Sequence, residues 1–167
     1  MKGFTLFFAV LVASLALSIG IAIYDITVRE LSLSATVTQS QYSIYAADTG
    51  AECALYWDAK CTAGSCSGGS AFATSTTYTG ATSGAGLNCN SIDITANTTP
   101  APDWTVSSAA NAATTTFTIN FTPLPYCATV TVAKVGNPPT TVITSHGYNT
   151  CANNGALQIE RVLQVNY

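Results

Sequence analysis

The run FTLFFAVLVASLALSIGIAIY, residues 4–24, contains no charged residue and no proline. At about 1.5 Å of rise per residue, a helix of about 20 apolar residues matches the hydrocarbon thickness of a bilayer. Lys2 precedes the run, and Asp25, Arg29 and Glu30 follow it. The positive-inside bias then keeps Lys2 cytoplasmic and carries the residues beyond 25 outside. A cleaved secretory signal is the competing reading, with Ala13, Ser14 and Ala16 as small residues at which it could be cut. Against it, the leader before the run is only three residues long, and the apolar run continues through Leu17, Ile19, Ile21 and Ile23.

The helical pattern does not stop at the end of the span. Between Asp25 and Trp57 there is no proline, and the first glycine is Gly50. Ile23, Ile26, Leu31, Ala35, Tyr42, Tyr45, Ala46, Cys53 and Tyr56 approximate an apolar stripe, widened by Val28, Leu33, Val37 and Ile44. A helix over residues 4–57 would be about 80 Å long. Gly20 is its expected soft point, because glycine is the poorest helix former after proline. Cys53, Tyr56 and Trp57 are expected to turn towards the rest of the chain. Asp48 and Glu52, four apart, read as a solvent-facing or capping pair that could accept loop N–H groups.

Lys2-Gly3-Phe4-Thr5-Leu6, placed directly before an uninterrupted apolar helix, resembles the processing site of type IV prepilins and type II secretion pseudopilins. The resemblance covers residues 2–24 and implies that a prepilin peptidase cuts after Gly3, with Phe4 becoming the methylated N-terminus. It also implies an inner-membrane stage, other pilin subunits as partners in a homo- or hetero-oligomeric filament, and a final place at the cell surface. One departure matters. Family members place glutamate at the fifth mature residue, where it pairs with a neighbour's N-terminal amine during assembly, and this chain has Phe8 there. Phenylalanine avoids an unpaired charge in hydrocarbon but removes that docking group, which points to a minor or tip subunit.

Composition agrees with export. Charged residues make up 8% of the 167, against about a quarter in an average soluble domain. Five basic residues, Lys2, Arg29, Lys60, Lys134 and Arg161, are scattered and form no basic stripe, so nucleic acid is not an expected partner. Six cysteines, at 53, 61, 66, 89, 127 and 151, all follow the apolar run and can share one oxidising compartment. With no CxxC pair and a single histidine, three disulfides are expected in place of a zinc site. Fifteen connectivities are possible for six cysteines. The order of elements favours Cys53 with Cys89, Cys61 with Cys66, and Cys127 with Cys151.

After Asp58 the pattern changes to short runs rich in β-branched residues. Strands are expected at Ala71–Ser75, Ser91–Thr95, Trp104–Ser107, Thr114–Thr122, Ala128–Val135, Thr140–Ser145 and Ala156–Asn166. The alternation is clearest in TFTINF, residues 116–121, and YCATVTV, residues 126–132. Pro123-Leu124-Pro125 and Gly136-Asn137-Pro138-Pro139 read as turns, and the short connections imply an antiparallel meander. The expected fold is α+β: a leader at 1–3, a helix at 4–57 that spans the membrane over 4–24, and a disulfide-stapled antiparallel head at 58–167.

Ser145-His146-Gly147-Tyr148 is the one local sequence that suggests a nucleophile and base. Adjacent strand residues face opposite ways, so the two cannot meet, and Gly147 suggests a strand end and turn. The glycines of Gly64–Gly69 and Gly80–Gly86 lack the Gly-Lys-Ser/Thr signature of a phosphate loop. No calcium loop is present, and the Asn-x-Ser/Thr matches at Asn97 and Asn120 do not add up to glycan sites. The chain is expected not to be an enzyme and to need no cofactor or metal. Its expected role is that of a structural subunit of an extracellular filament or secretion pseudopilus. The alternative is a membrane-anchored surface binding or adhesion module that does not polymerise.

Overall fold

A computed structural model of the chain describes residues 2–61, 66, 69–96, 104–152 and 158–167. It contains one helix, α1 (Lys2–Lys60), followed by β1 (Asn88–Cys89), β2 (Ile92–Asp93), β3 (Trp104–Ala109), β4 (Ala112–Asn120), β5 (Cys127–Val135), β6 (Thr140–Tyr148) and β7 (Glu160–Asn166). Residues 1–38 and 39–167 form two compact units. The protein is thus α+β, with a long N-terminal helix and a disulfide-linked antiparallel sheet.

In the first unit the helix runs without interruption through Gly20. Its hydroxyls are satisfied along their own turn: Ser14 and Ser18 donate to the carbonyls of Leu11 and Leu15, each at 2.8 Å. Thr27, Thr36 and Thr38 likewise donate to Ile23, Ser32 and Ser34. Such back-bonding lets Ser and Thr sit in a helix with no other partner, a requirement wherever water is absent. Asp25 and Arg29 form an exposed i,i+4 ion pair at 3.1 Å. Such pairs contribute only a few tenths of a kcal/mol, about 0.3–0.5.

In the second unit, β3 to β7 form a five-stranded antiparallel meander in sequence order. One face is apolar. Phe117, Ile119, Ala128, Val130, Val132 and Ile143 are buried on it. Phe72, Trp104 and Phe117 stack with centroids 5.8–5.9 Å apart. The other face is neutral-polar. Thr105, Thr116, Thr131, Thr144 and Gln164 lie side by side across all five strands, and the Thr116 and Thr131 hydroxyls are 3.3 Å apart. Threonine supplies β-branched backbone preference with a wettable tip, so this face needs few charges.

The part of α1 within this unit buries Ser43, Ala46, Ala47, Gly50, Ala51 and Ala54, a stripe of small residues at helical spacing. Tyr42, Tyr45 and Tyr56, expected in the buried stripe, are exposed instead, at 41%, 64% and 57%. The cause is the close approach of the backbones. A Cβ on Gly147 would lie 2.0 Å from the Ser43 carbonyl oxygen and 2.4 Å from the Ala47 nitrogen, and one on Gly50 would lie 2.5 Å from Ser145 Oγ. Large side chains cannot enter that gap, so they point outward. Gly147 is therefore strand interior and not the expected turn, and β6 continues to Tyr148.

Three other expected strands differ. Ala71, Phe72 and Ala73 are fully buried but pair with no strand. Their backbone groups bond elsewhere: Ala71 N–H to the Trp57 carbonyl at 3.1 Å, Phe72 N–H to Ser70 Oγ at 3.0 Å, and Ala73 N–H to Thr115 Oγ1 at 3.4 Å. The expected strand at Ser91–Thr95 reduces to Ile92–Asp93, paired with Asn88–Cys89. The strand expected from Ala156 begins at Glu160; residues 156–157 lie outside the described residues, as does Asn97.

Candidate functional site

Three places merit attention, beginning with the N-terminal helix. It holds an 18-residue window of mean hydropathy 2.7, none of it buried, and is the one helix among the described residues long and apolar enough to cross a membrane. Gly3 and Phe4 both lie within α1, and Phe4, Leu6, Phe7 and Phe8 are 60–76% exposed. A continuous apolar surface of this kind is stable only against lipid or other apolar helices.

A buried polar cluster joins the end of α1 to the sheet. Lys134, from β5, lies on the sheet's apolar face, and its Nζ is 2.5 Å from Asp58 Oδ1, with side-chain exposures of 6% and 5%. The Tyr167 hydroxyl donates to Asp58 Oδ2 at 2.5 Å, and the Ser70 hydroxyl donates to Oδ1. The Tyr78 hydroxyl in turn donates to the Ser70 carbonyl at 2.5 Å. Burial acts to raise the Asp58 carboxyl, but hydrogen bonds from Lys134, Ser70 and Tyr167, with the Lys134 charge, outweigh it and hold the group below the ordinary aspartate value. Burial and the neighbouring Asp58 push the Tyr167 phenol well above its usual range. The Asp58–Lys134 pair ties the end of α1 to the sheet, and breaking one half leaves a charge stranded. These widely separated residues carry no local sequence signal that joins them.

The third place is a cleft of about 250 Å³ lined by Thr49, Glu52, Cys53, Tyr56, Trp57, Asn88, Cys89 and Asn90. The Cys53–Cys89 disulfide is part of its lining, with Cα atoms 5.9 Å apart. Cys89 and Ile92 pair across a two-residue turn in which Asn90 and Ser91 both have positive φ, 49° and 66°. A right-twisted hairpin demands this left-handed turn; asparagine tolerates it well and serine less so. Tyr56, expected to face the head, stands beside the cleft with Trp57 packed edge-on at 5.3 Å. Asp48 and Glu52 are both exposed and accept no loop N–H group among the described residues.

The remaining cysteines are joined as Cys61–Cys66 and Cys127–Cys151. Ser145 and His146 lie on opposite faces of β6. Ser145 is buried under α1, its hydroxyl without a hydrogen-bond partner among the described residues. His146 is on the outer face, where its Nδ1 meets Glu160 Oε1, and the Tyr148 hydroxyl donates to the same oxygen at 3.2 Å. The His146 bond, with smaller help from Tyr148 and against some desolvation, holds the Glu160 carboxyl below its usual value. No group of three or more His, Cys, Asp or Glu side chains suited to a metal ion occurs among the described residues. No family model, curated protein or solved structure matches the chain.

Proposed function

We propose that the chain is a type IV pilin-like structural subunit, processed after Gly3 and assembled through its N-terminal helix into an extracellular filament or secretion pseudopilus. The observation that carries the reading is the charge-free run at residues 4–24, set directly behind Lys2-Gly3 and continuous with a helix that extends to Lys60. The exposed apolar surface of that run is suited first to lipid and then to the apolar helices of other subunits. The disulfides suit a head exposed to an oxidising exterior. Phe8, where the resembled family places its assembly glutamate, favours a minor or tip position.

The same residue favours a second reading, a membrane-anchored surface module that never polymerises. Shearing of intact cells separates the two. The filament reading expects the chain in the sheared fraction, on fibres that bind antibodies raised against residues 58–167. Recovery solely with the membrane fraction supports the anchored module and sinks the filament.

A further inference from the structure

We propose that the cleft beside the Cys53–Cys89 bridge binds a neutral saccharide. A sugar ring offers a face of C–H groups and a rim of hydroxyls. Aromatic rings accept the first by dispersion, while carboxylates and amides take the second through paired hydrogen bonds. The cleft contains both kinds of group. Tyr56 is 57% exposed, its ring at 85° to that of Trp57. The Glu52 carboxylate, the Asn90 amide and the Tyr56 hydroxyl make no hydrogen bond or ion pair among the described residues, so they are open to a ligand.

The rest of the lining is fixed in place. Trp57 Nε1 donates to the Asn88 carbonyl at 3.2 Å, and Asn88 Nδ2 donates to the Gly86 carbonyl at 2.9 Å. The bridge ties the turn that carries Asn90 to the helix that carries Glu52 and Tyr56. A frame fixed in this way leaves only the Tyr56, Glu52 and Asn90 side chains to be ordered on binding. Among the described residues the lining includes no Lys, Arg or His, which disfavours sialylated, sulfated and phosphorylated ligands. Glu52 and the two asparagines exclude a purely apolar one. The proposal concerns the unit of residues 39–167 alone and is independent of whether the chain assembles into filaments.

The test is saturation-transfer NMR on the full-length chain, held in a detergent without a sugar headgroup, with chitotriose, maltotriose, lactose and, as the anionic control, sialyllactose. Saturation transfer to at least one neutral saccharide is expected, with a dissociation constant of about 1 mM. Tyr56→Ala and Glu52→Ala should each weaken it about tenfold, a loss typical of one well-placed contact. Tyr56→Phe, which keeps the ring and loses the hydroxyl, should bind more weakly than the wild type and more tightly than Tyr56→Ala, and Thr131→Ala on the outer sheet face should leave binding unchanged. Absence of transfer from all three neutral saccharides overturns the proposal. So does transfer that survives both alanine variants, or a preference for sialyllactose.

Discussion

Gly147 and Gly50 set how closely the helix can lie on the sheet, because each has another element's atoms where its Cβ would be. Gly147→Ala must displace the α1 backbone itself and is expected to destabilise the head by about 3 kcal/mol. Gly50→Ala meets Ser145 Oγ at 2.5 Å and a methyl of Val130 at 2.8 Å, side-chain atoms that can yield in part. Its cost should be about 1–3 kcal/mol, and smaller when Ser145→Ala is also present. Ser145→Ala alone removes a buried hydroxyl that has no partner among the described residues and should be neutral or stabilising. Thermal unfolding of the four variants, followed by near-ultraviolet circular dichroism, checks both the order and the coupling.

At the same scale, Asp58→Ala leaves Lys134 buried without its counter-charge and should cost about 3–5 kcal/mol. Replacing both, as Asp58→Leu with Lys134→Met, should cost less than Asp58→Ala, which a denaturant series on the two variants tests. The pH dependence follows from the depressed Asp58 carboxyl. A carboxyl with a lowered folded-state value stabilises fully above the unfolded value, about 4, and loses that contribution as pH falls through the folded one. Stability of the wild-type head should therefore decline in acid below about pH 4, and the Asp58→Leu/Lys134→Met variant should show a shallower decline.

Among the elements, those with strong periodic or charge-free patterns were legible in the sequence. The helix, the meander order and the strands around TFTINF and YCATVTV all follow from such patterns. What escaped was set by neighbours distant in sequence. The buried stripe of α1 is made of Ser, Ala and Gly, whose hydropathy signal is outweighed by Tyr42, Tyr45 and Tyr56 on the outer surface. Gly147 reads as a turn residue until the helix backbone is found against it. The run from Ala71 is apolar like a strand, yet its N–H groups bond to Trp57, Ser70 and Thr115. The Asp58–Lys134 pair and the cleft are likewise products of tertiary placement. One element-scale prediction concerns the hairpin of β1 and β2, which is held to α1 by the Cys53–Cys89 bridge. Replacing both cysteines by serine should cost about 2–4 kcal/mol and raise amide hydrogen exchange over residues 87–94 ahead of β4 to β6.

For the whole molecule, two kinds of surface call for different surroundings. Residues 4–24 expose an apolar helix that needs lipid or other helices, whereas the head presents threonine and other neutral polar groups to water. Processing after Gly3 would link these demands, releasing a mature chain that starts at Phe4 and can leave the bilayer for a helical bundle. The most direct test is mass spectrometry of the N-terminal peptide from material sheared off the cell surface. The pilin-like reading predicts a chain that begins at Phe4 with a methylated amine. An uncut Met1, or a first residue just beyond Ala16, would contradict it.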